Sequence, residues 1–295
     1  MERRFFKAGL PWGLCLVSLS VALTGCSSDS DETETIGNGR KLRQLTISEV
    51  PLTRAVLTDN TTALGAAWSA GDEATLLNVS AISREILYGT FEAKSSAAAS
   101  LFTGSIACGV HDKLALIYPK AEPTLAEGAF TISLSRQKGT LDDVAKHYHY
   151  IYGVGEVTSA TETTATAVIS EMQSLLAVCK FTFKDKDSGD AIPVQTLTVN
   201  YNDASVGYPT TGTVTPSADA SAVAVVPSNN QQEWQPLTIS FDSETASGVY
   251  VALFPISNDY FHFTVTNNNG TYTGTARATL KAAKYYPVTL TLTKQ

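Results

Sequence analysis

The chain has 295 residues, with 21 basic and 28 acidic side chains and a net charge of −7. Beyond residues 1–25 no basic cluster remains to neutralise phosphates, which argues against a nucleic-acid partner. Four cysteines in a chain of this length exclude a small disulfide-stapled scaffold.

Residues 1–25 read as a secretory signal. Arg3, Arg4 and Lys7 form a basic start, and residues 8–22 are mostly apolar but too short for a bilayer span of about 20 apolar residues. Small residues then precede Cys26, and the run Leu23-Thr24-Gly25-Cys26 resembles the bacterial lipobox, whose cysteine is acylated on sulfur and becomes the mature N-terminus. A palmitate-type anchor buries about 0.8 kcal/mol per CH₂, and two or more chains hold a protein durably on a membrane. The segment after Cys26 carries Asp29, Asp31, Glu32 and Glu34 with no core-forming side chains, so it reads as a solvated tether. It also resembles the acidic signal that sends Bacteroidales lipoproteins to the outer face of the outer membrane. Removal of residues 1–25 leaves 18 basic against 27 acidic side chains.

Two domains are expected in the remainder, at roughly 100–200 residues each. Apolar and polar residues alternate in "FTISLS" (Phe130, Ile132, Leu134), "LTVNY" (Leu197, Val199, Tyr201), "LTISF" (Leu237, Ile239, Phe241) and "FHFTV" (Phe261, Phe263, Val265). Turn clusters punctuate these runs at 69–72, 202–209 and 267–270. An all-β chain of tandem β-sandwiches follows. One segment departs from this pattern: "TLDDVAKHYHYIYG" spaces Leu141, Val144, Ala145, Tyr148 and Tyr152 near a helical period. Thr140 serves as its N-cap, with Asp142 and Asp143 in the first turn where the helix dipole favours them. This predicts one short helix near the end of the first domain, followed by a Thr-rich linker at 158–166.

Catalytic signals are weak. His147 and His149 share a face only on a strand, and no third ligand accompanies them or His111 and His262, so neither a metal nor another cofactor is expected. No nucleophile elbow, zincin, phosphate-loop or dinucleotide motif is present, and no enzyme activity is expected. After loss of Cys15 and acylation of Cys26, only Cys108 and Cys179 remain. Two buried free thiols on separate strands are favoured over a disulfide, which stays open.

Two features carry more information. "RQLTISEVPLTRAV" pairs an alternating strand (Leu45, Ile47, Val50) with Arg54 in a Thr-Arg-Ala setting, which reads as a trypsin-like cleavage point or as an ordinary surface arginine. The terminal run "YYPVTLTLTK" is regular and amphipathic through Val288, Leu290 and Leu292.

Together the lipobox, the Arg-Ala junction, "WSAGDEATLL", "LFTGSI…KLALIYP", "LDDVAKHYHYIYG" and "MQSLLAVCKFTF" resemble the fimbrillins of Bacteroidales, the type V pilins, across nearly the whole mature chain. The resemblance implies two transthyretin-like β-sandwich domains, at 55–160 and 161–295, behind a leader at 26–54. It implies a cell-surface lipoprotein whose leader strand, 44–50, is removed by an arginine-specific surface protease at Arg54–Ala55. It further implies a groove then filled by an extended strand from another pilin subunit, with 287–294 as the donor and Val288, Leu290 and Leu292 as its anchors. Arg40 and Arg43 are alternative cutting points that would leave the Leu45/Ile47 strand in place. A non-polymerising anchor or tip subunit of the same fimbria is an alternative role. A surface glycan-binding lipoprotein is the main rival. Trp68 reads as core, so that rival would rest on Trp234, with Tyr260, as a sugar platform.

Overall fold

The computed structural model describes residues 35–36, 40–51, 56–59, 64–81, 87–123, 128–201 and 205–295. In chain order its first half contains β1 (Thr35–Ile36), β2 (Arg40–Pro51), β3 (Val56–Asp59), β4 (Leu64–Ala67), β5 (Glu73–Asn78) and β6 (Tyr88–Ala93). Then follow β7 (Ala99–Cys108), β8 (Lys113–Tyr118), β9 (Phe130–Ser133), α1 (Leu141–Asp143), β10 (Ile151–Ala160) and β11 (Thr164–Ser174). The second half holds β12 (Ala177–Asp185), β13 (Val194–Tyr201), β14 (Thr211–Val214), β15 (Val225–Pro227), β16 (Leu237–Thr245), β17 (Val249–Leu253), β18 (Ile256–Asn267), β19 (Gly270–Leu280) and β20 (Tyr285–Lys294). The fold is all-β, with one short α-helical segment and two single 3-10 turns, Ala220–Ala222 and Gln231–Glu233, among the described residues.

The first sheet runs β1-β2-β11-β10-β8-β5-β6-β7, and β2 also pairs with β7, so β2 closes the sheet into a barrel. Its interior is filled by Leu45, Ile47, Trp68, Leu76, Phe91, Phe102, Leu114, Leu116 and their neighbours. The opposite faces of β5, β8 and β10 are buried as well. Leu77, Ala115, Ile117 and Tyr152 belong to a second core shared with the rest of the chain. Burial on both faces explains why β8 reads "KLALIY", a continuous apolar run rather than an alternation.

The second sheet runs β16-β13-β18-β19-β20-β12-β17, and a small sheet β15-β14-β9 lies alongside it. Here the alternation is clean: Leu197, Val199, Leu237, Ile239, Phe261, Phe263 and Val265 are buried, while the residues between them are not. An aromatic cluster fills this core, with Phe181 edge-on to Phe263 at 5.1 Å and Tyr208 stacked on Phe254 at 6.2 Å.

The helical segment starts as predicted, with the Thr140 side chain accepting a hydrogen bond from the Asp143 amide. After Asp143 it widens into a π turn over Val144–Tyr148, where Val144 and Ala145 are buried. Tyr152 is not part of it. That residue lies in β10, and its hydroxyl donates to the Ser217 carbonyl at 2.8 Å. The segment 158–166, expected as a linker, is the tip of the β10–β11 hairpin, so the chain stays in the first sheet until Ser174. Threonines suit a hairpin flank as well as a linker, and composition does not separate the two.

Candidate strand-exchange site

β2 is the strand on which the barrel depends. It pairs antiparallel with β7 from Lys41↔Cys108 to Pro51↔Ala99, and parallel with β11 from Gln44↔Thr164 to Ser48↔Val168. Leu45, Ile47 and Val50 are fully buried. Between Ile47 and Val50 the register with β7 shifts, so three steps along β2 face two along β7 (Phe102 to Ser100). The Trp68 indole, edge-on to Phe102 at 4.8 Å and to Tyr118 at 5.2 Å, donates to the Val50 carbonyl at 3.2 Å. Taking β2 away would leave an apolar slot between two unpaired strand edges.

The first residues of β2 are held by charge. The Arg40 guanidinium grips Asp112 with two hydrogen bonds of 2.7 Å, Nε to Oδ2 and Nη2 to Oδ1. Asp112 also accepts from Asn78 Nδ2 at 2.7 Å and from the Gly109 amide at 2.8 Å. Burial pushes the Asp112 carboxyl up, but Arg40, the Gly109 amide and Asn78 together outweigh it and hold the group below the usual carboxylate range. Lys41 pairs with Glu162. Arg43 donates from Nε to the Thr161 carbonyl at 2.6 Å and from Nη1 to the Cys108 carbonyl. The residues that make this clamp are scattered over some 120 positions, and no local sequence signal marks them.

Arg40 and Arg43 are therefore ladder residues with engaged side chains. A protease needs an extended, unpaired segment, so both are poor substrates while β2 is in place. Arg54 and Ala55 lie outside the described residues, between Pro51 of β2 and Val56 of β3. Cys26 also lies outside them.

The terminal strand β20 has the same kind of environment as β2. It pairs parallel with β12 from Val178↔Tyr285 to Asp185↔Leu292, and antiparallel with β19. The antiparallel ladder covers only Tyr272↔Lys294 and Thr273↔Thr293. Beyond it the strands part around an apolar cleft of about 280 Å³ lined by Phe181, Phe263, Ala276, Ala278, Val288 and Leu290. Leu292 is fully buried, whereas Val288 and Leu290 are half-buried at the edge of the core. At the root of β20, Asp59 accepts from Lys180 Nζ and from the Tyr250 hydroxyl, both at 2.7 Å. Burial, and then the Asp59 charge, keep the neighbouring Tyr285 hydroxyl protonated well beyond its ordinary range.

The remaining candidates do not gather. His149 is buried at the end of the π turn while His147 is largely exposed, and among the described residues no group of three or more His, Cys, Asp or Glu is placed to hold a metal. Cys108 and Cys179 are free and buried in different cores. Desolvation pushes the Cys179 thiol up to about 12. The Trp234 ring stands edge-on against Tyr201 at 5.5 Å, and its indole donates to the Ser228 carbonyl at 2.8 Å. Tyr260 is exposed, but the Arg277 guanidinium lies over its ring at 5.2 Å. Both aromatics already hold contacts within the chain.

No known family profile and no curated protein matches the sequence. Solved structures do match the fold. A putative cell adhesion protein of Bacteroides ovatus superposes with a TM-score of 0.52 at 15% identity, covering 87% of this chain and 96% of that one. One from Bacteroides uniformis gives 0.50 at 14% identity, covering 88% and 94%. The tip fimbrial protein Mfa3 of Porphyromonas gingivalis gives 0.39 at 10% identity, covering 80% and 81%. The chain thus shares its fold, over most of its length, with these two Bacteroides proteins.

Proposed function

We propose that the chain is a structural subunit of a cell-surface fimbria of the type V class, exported as a lipoprotein through Cys26 and assembled by strand donation. An arginine-specific surface protease cuts at Arg54–Ala55, β2 leaves with the leader, and residues 287–294 of a neighbouring subunit take its place. The two halves act as transthyretin-like sandwich domains, one accepting and one donating. The adhesion role ascribed to the similarly folded Bacteroides proteins is in keeping with this reading.

The observation that carries it is the match between β2 and β20. Each has a parallel partner on one side and an antiparallel partner on the other. The antiparallel register gives the fit. With Val288 opposite Gly104, in the place of Leu45, Leu290 falls opposite Phe102 and Leu292 opposite Ser100, the places of Ile47 and Val50. A regular strand reaches all three positions without the bulge that β2 needs. Backbone bonds to both slot edges give affinity, and alternate side chains fix the register. Burying three such side chains at about 1.5–3 kcal/mol each biases exchange once the slot is open. A head-to-tail contact that does not close on itself makes a fibre.

The test is to treat the soluble chain from Ser27 with an arginine-specific protease, sequence the new N-terminus and follow size by gel filtration. An Ala55 start with heat-resistant ladders is expected, and deletion of 287–295 should abolish the ladders. A protein cut at Ala55 that stays monomeric would rule out polymerisation and move the assignment to an anchor or tip subunit.

A further inference from the structure

When β2 leaves, it takes more than three apolar anchors. Arg40, Lys41 and Arg43 go with it, and two carboxylates stay behind at that end of the slot: Asp112, 7% exposed, and Glu162. Asp112 keeps its bonds from Asn78 and the Gly109 amide, so it remains oriented. A buried carboxylate that loses its cation is costly to leave unpaired. The slot therefore selects among incoming strands by charge as well as by shape.

We infer that the Asp112–Glu162 end of the slot is a receptor for a basic side chain lying just ahead of the incoming strand's apolar anchors, and that Lys284 of a second copy of this chain supplies it. This rests on the strand-exchange reading above. In the register that places Val288 opposite Gly104, Lys284 falls opposite Cys108, the place that Lys41 holds in the uncut chain. It has the same alternation parity as Val288, Leu290 and Leu292. Lys41 reaches Glu162 from this place, and Arg40 reaches Asp112 from the adjoining one. In the uncut chain the Lys284 side chain is exposed, so it is available for this purpose. An arginine or lysine four residues before the first apolar anchor is then the mark of a strand this slot accepts.

The experiment uses the full chain from Ser27, cut with the arginine-specific protease, and synthetic peptides of residues 281–295 that cap growing ends and inhibit the ladder. A peptide with Lys284→Gln should need about tenfold more to inhibit by half, and one with Lys284→Glu more still. In a chain carrying Asp112→Asn and Glu162→Gln together the first two peptides should become equivalent, and raised salt should narrow their difference in the parent chain. A melting curve of the uncut Asp112→Asn, Glu162→Gln chain reports whether it folds. If it does not, the salt series on the parent chain decides. Equal inhibition by all three peptides, with ladders still forming, would overturn the receptor and leave strand exchange intact. No ladder and no effect of any peptide would overturn both.

Discussion

Asp59 accepts a hydrogen bond from Lys180 Nζ at 2.7 Å, so a residue of the β3–β4 hairpin is tied to a strand 121 positions further on. The same carboxylate takes the Tyr250 hydroxyl and sits beside Tyr285, where β20 begins. The hydrogen bond to Asp59, and then that to the Tyr250 hydroxyl, raise the Lys180 ammonium above its ordinary range. The contact lies five residues beyond Arg54, so a cut there would free the hairpin's leading end close to the latch that holds the donor strand. An Asp59→Ala chain should lose about 1.5–3 kcal/mol of stability, the usual worth of a hydrogen bond to a charged group. After cutting it should form ladders faster than the parent. Slower ladders, with the lower melting temperature, would show that Asp59 does not restrain β20.

The anchors of β2 should matter only before the cut. Ile47 is fully buried between Phe102 and Ala167, and Ile47→Ala should destabilise the uncut chain by about 2–5 kcal/mol. Once β2 has been removed, the substitution leaves with it. Melting the two chains before and after proteolysis checks this, and a difference that persists after the cut would mean that β2 stays bound.

Much of this arrangement was legible in the residues. Alternation placed Leu197, Val199, Phe261 and Phe263 in strands facing a core, and Thr140 with Asp142 and Asp143 marked the helical start. Pairing partners were not legible. Nothing local in "QLTIS" or "VTLTLT" says that each strand runs parallel to one neighbour and antiparallel to the other, because alternation fixes a face and not a direction. The Arg40–Asp112 and Asp59–Lys180 contacts join residues 72 and 121 positions apart, and each residue alone reads as an ordinary surface charge. The threonines at 158–166 misled because a hairpin tip and a linker share a composition.

Acid should loosen the leader. The folded Asp112 carboxyl is held below its ordinary value of 3.8, so its contribution to stability is present above that pH and is lost as pH falls through the lower folded value. The uncut chain should therefore lose stability on acidification below about pH 4, and an Arg40→Gln chain should lose less over the same window. Urea melts of both chains between pH 2 and pH 6 measure the difference, and parallel pH profiles would remove Arg40 as the cause.

Gly274 gives a way to loosen the donor without touching the slot. A methyl group there would stand 2.6 Å from Leu292 Cδ2 and 3.2 Å from the Thr291 carbonyl, where β20 turns its one fully buried anchor inward. The ladder between β19 and β20 is adjacent, at Thr273↔Thr293 and Tyr272↔Lys294, so a displaced Leu292 strains the place where the two strands are paired. Overpacking of this kind costs about 1–3 kcal/mol. In a Gly274→Ala chain the amides of 285–294 should exchange with solvent faster than in the parent, while those of β2 and β7 remain unchanged. Release of the donor should also speed ladder formation after the cut. If the β20 amides stay as protected as before, Leu292 has another way to accommodate the methyl group, and the hold on β20 lies in its parallel ladder with β12.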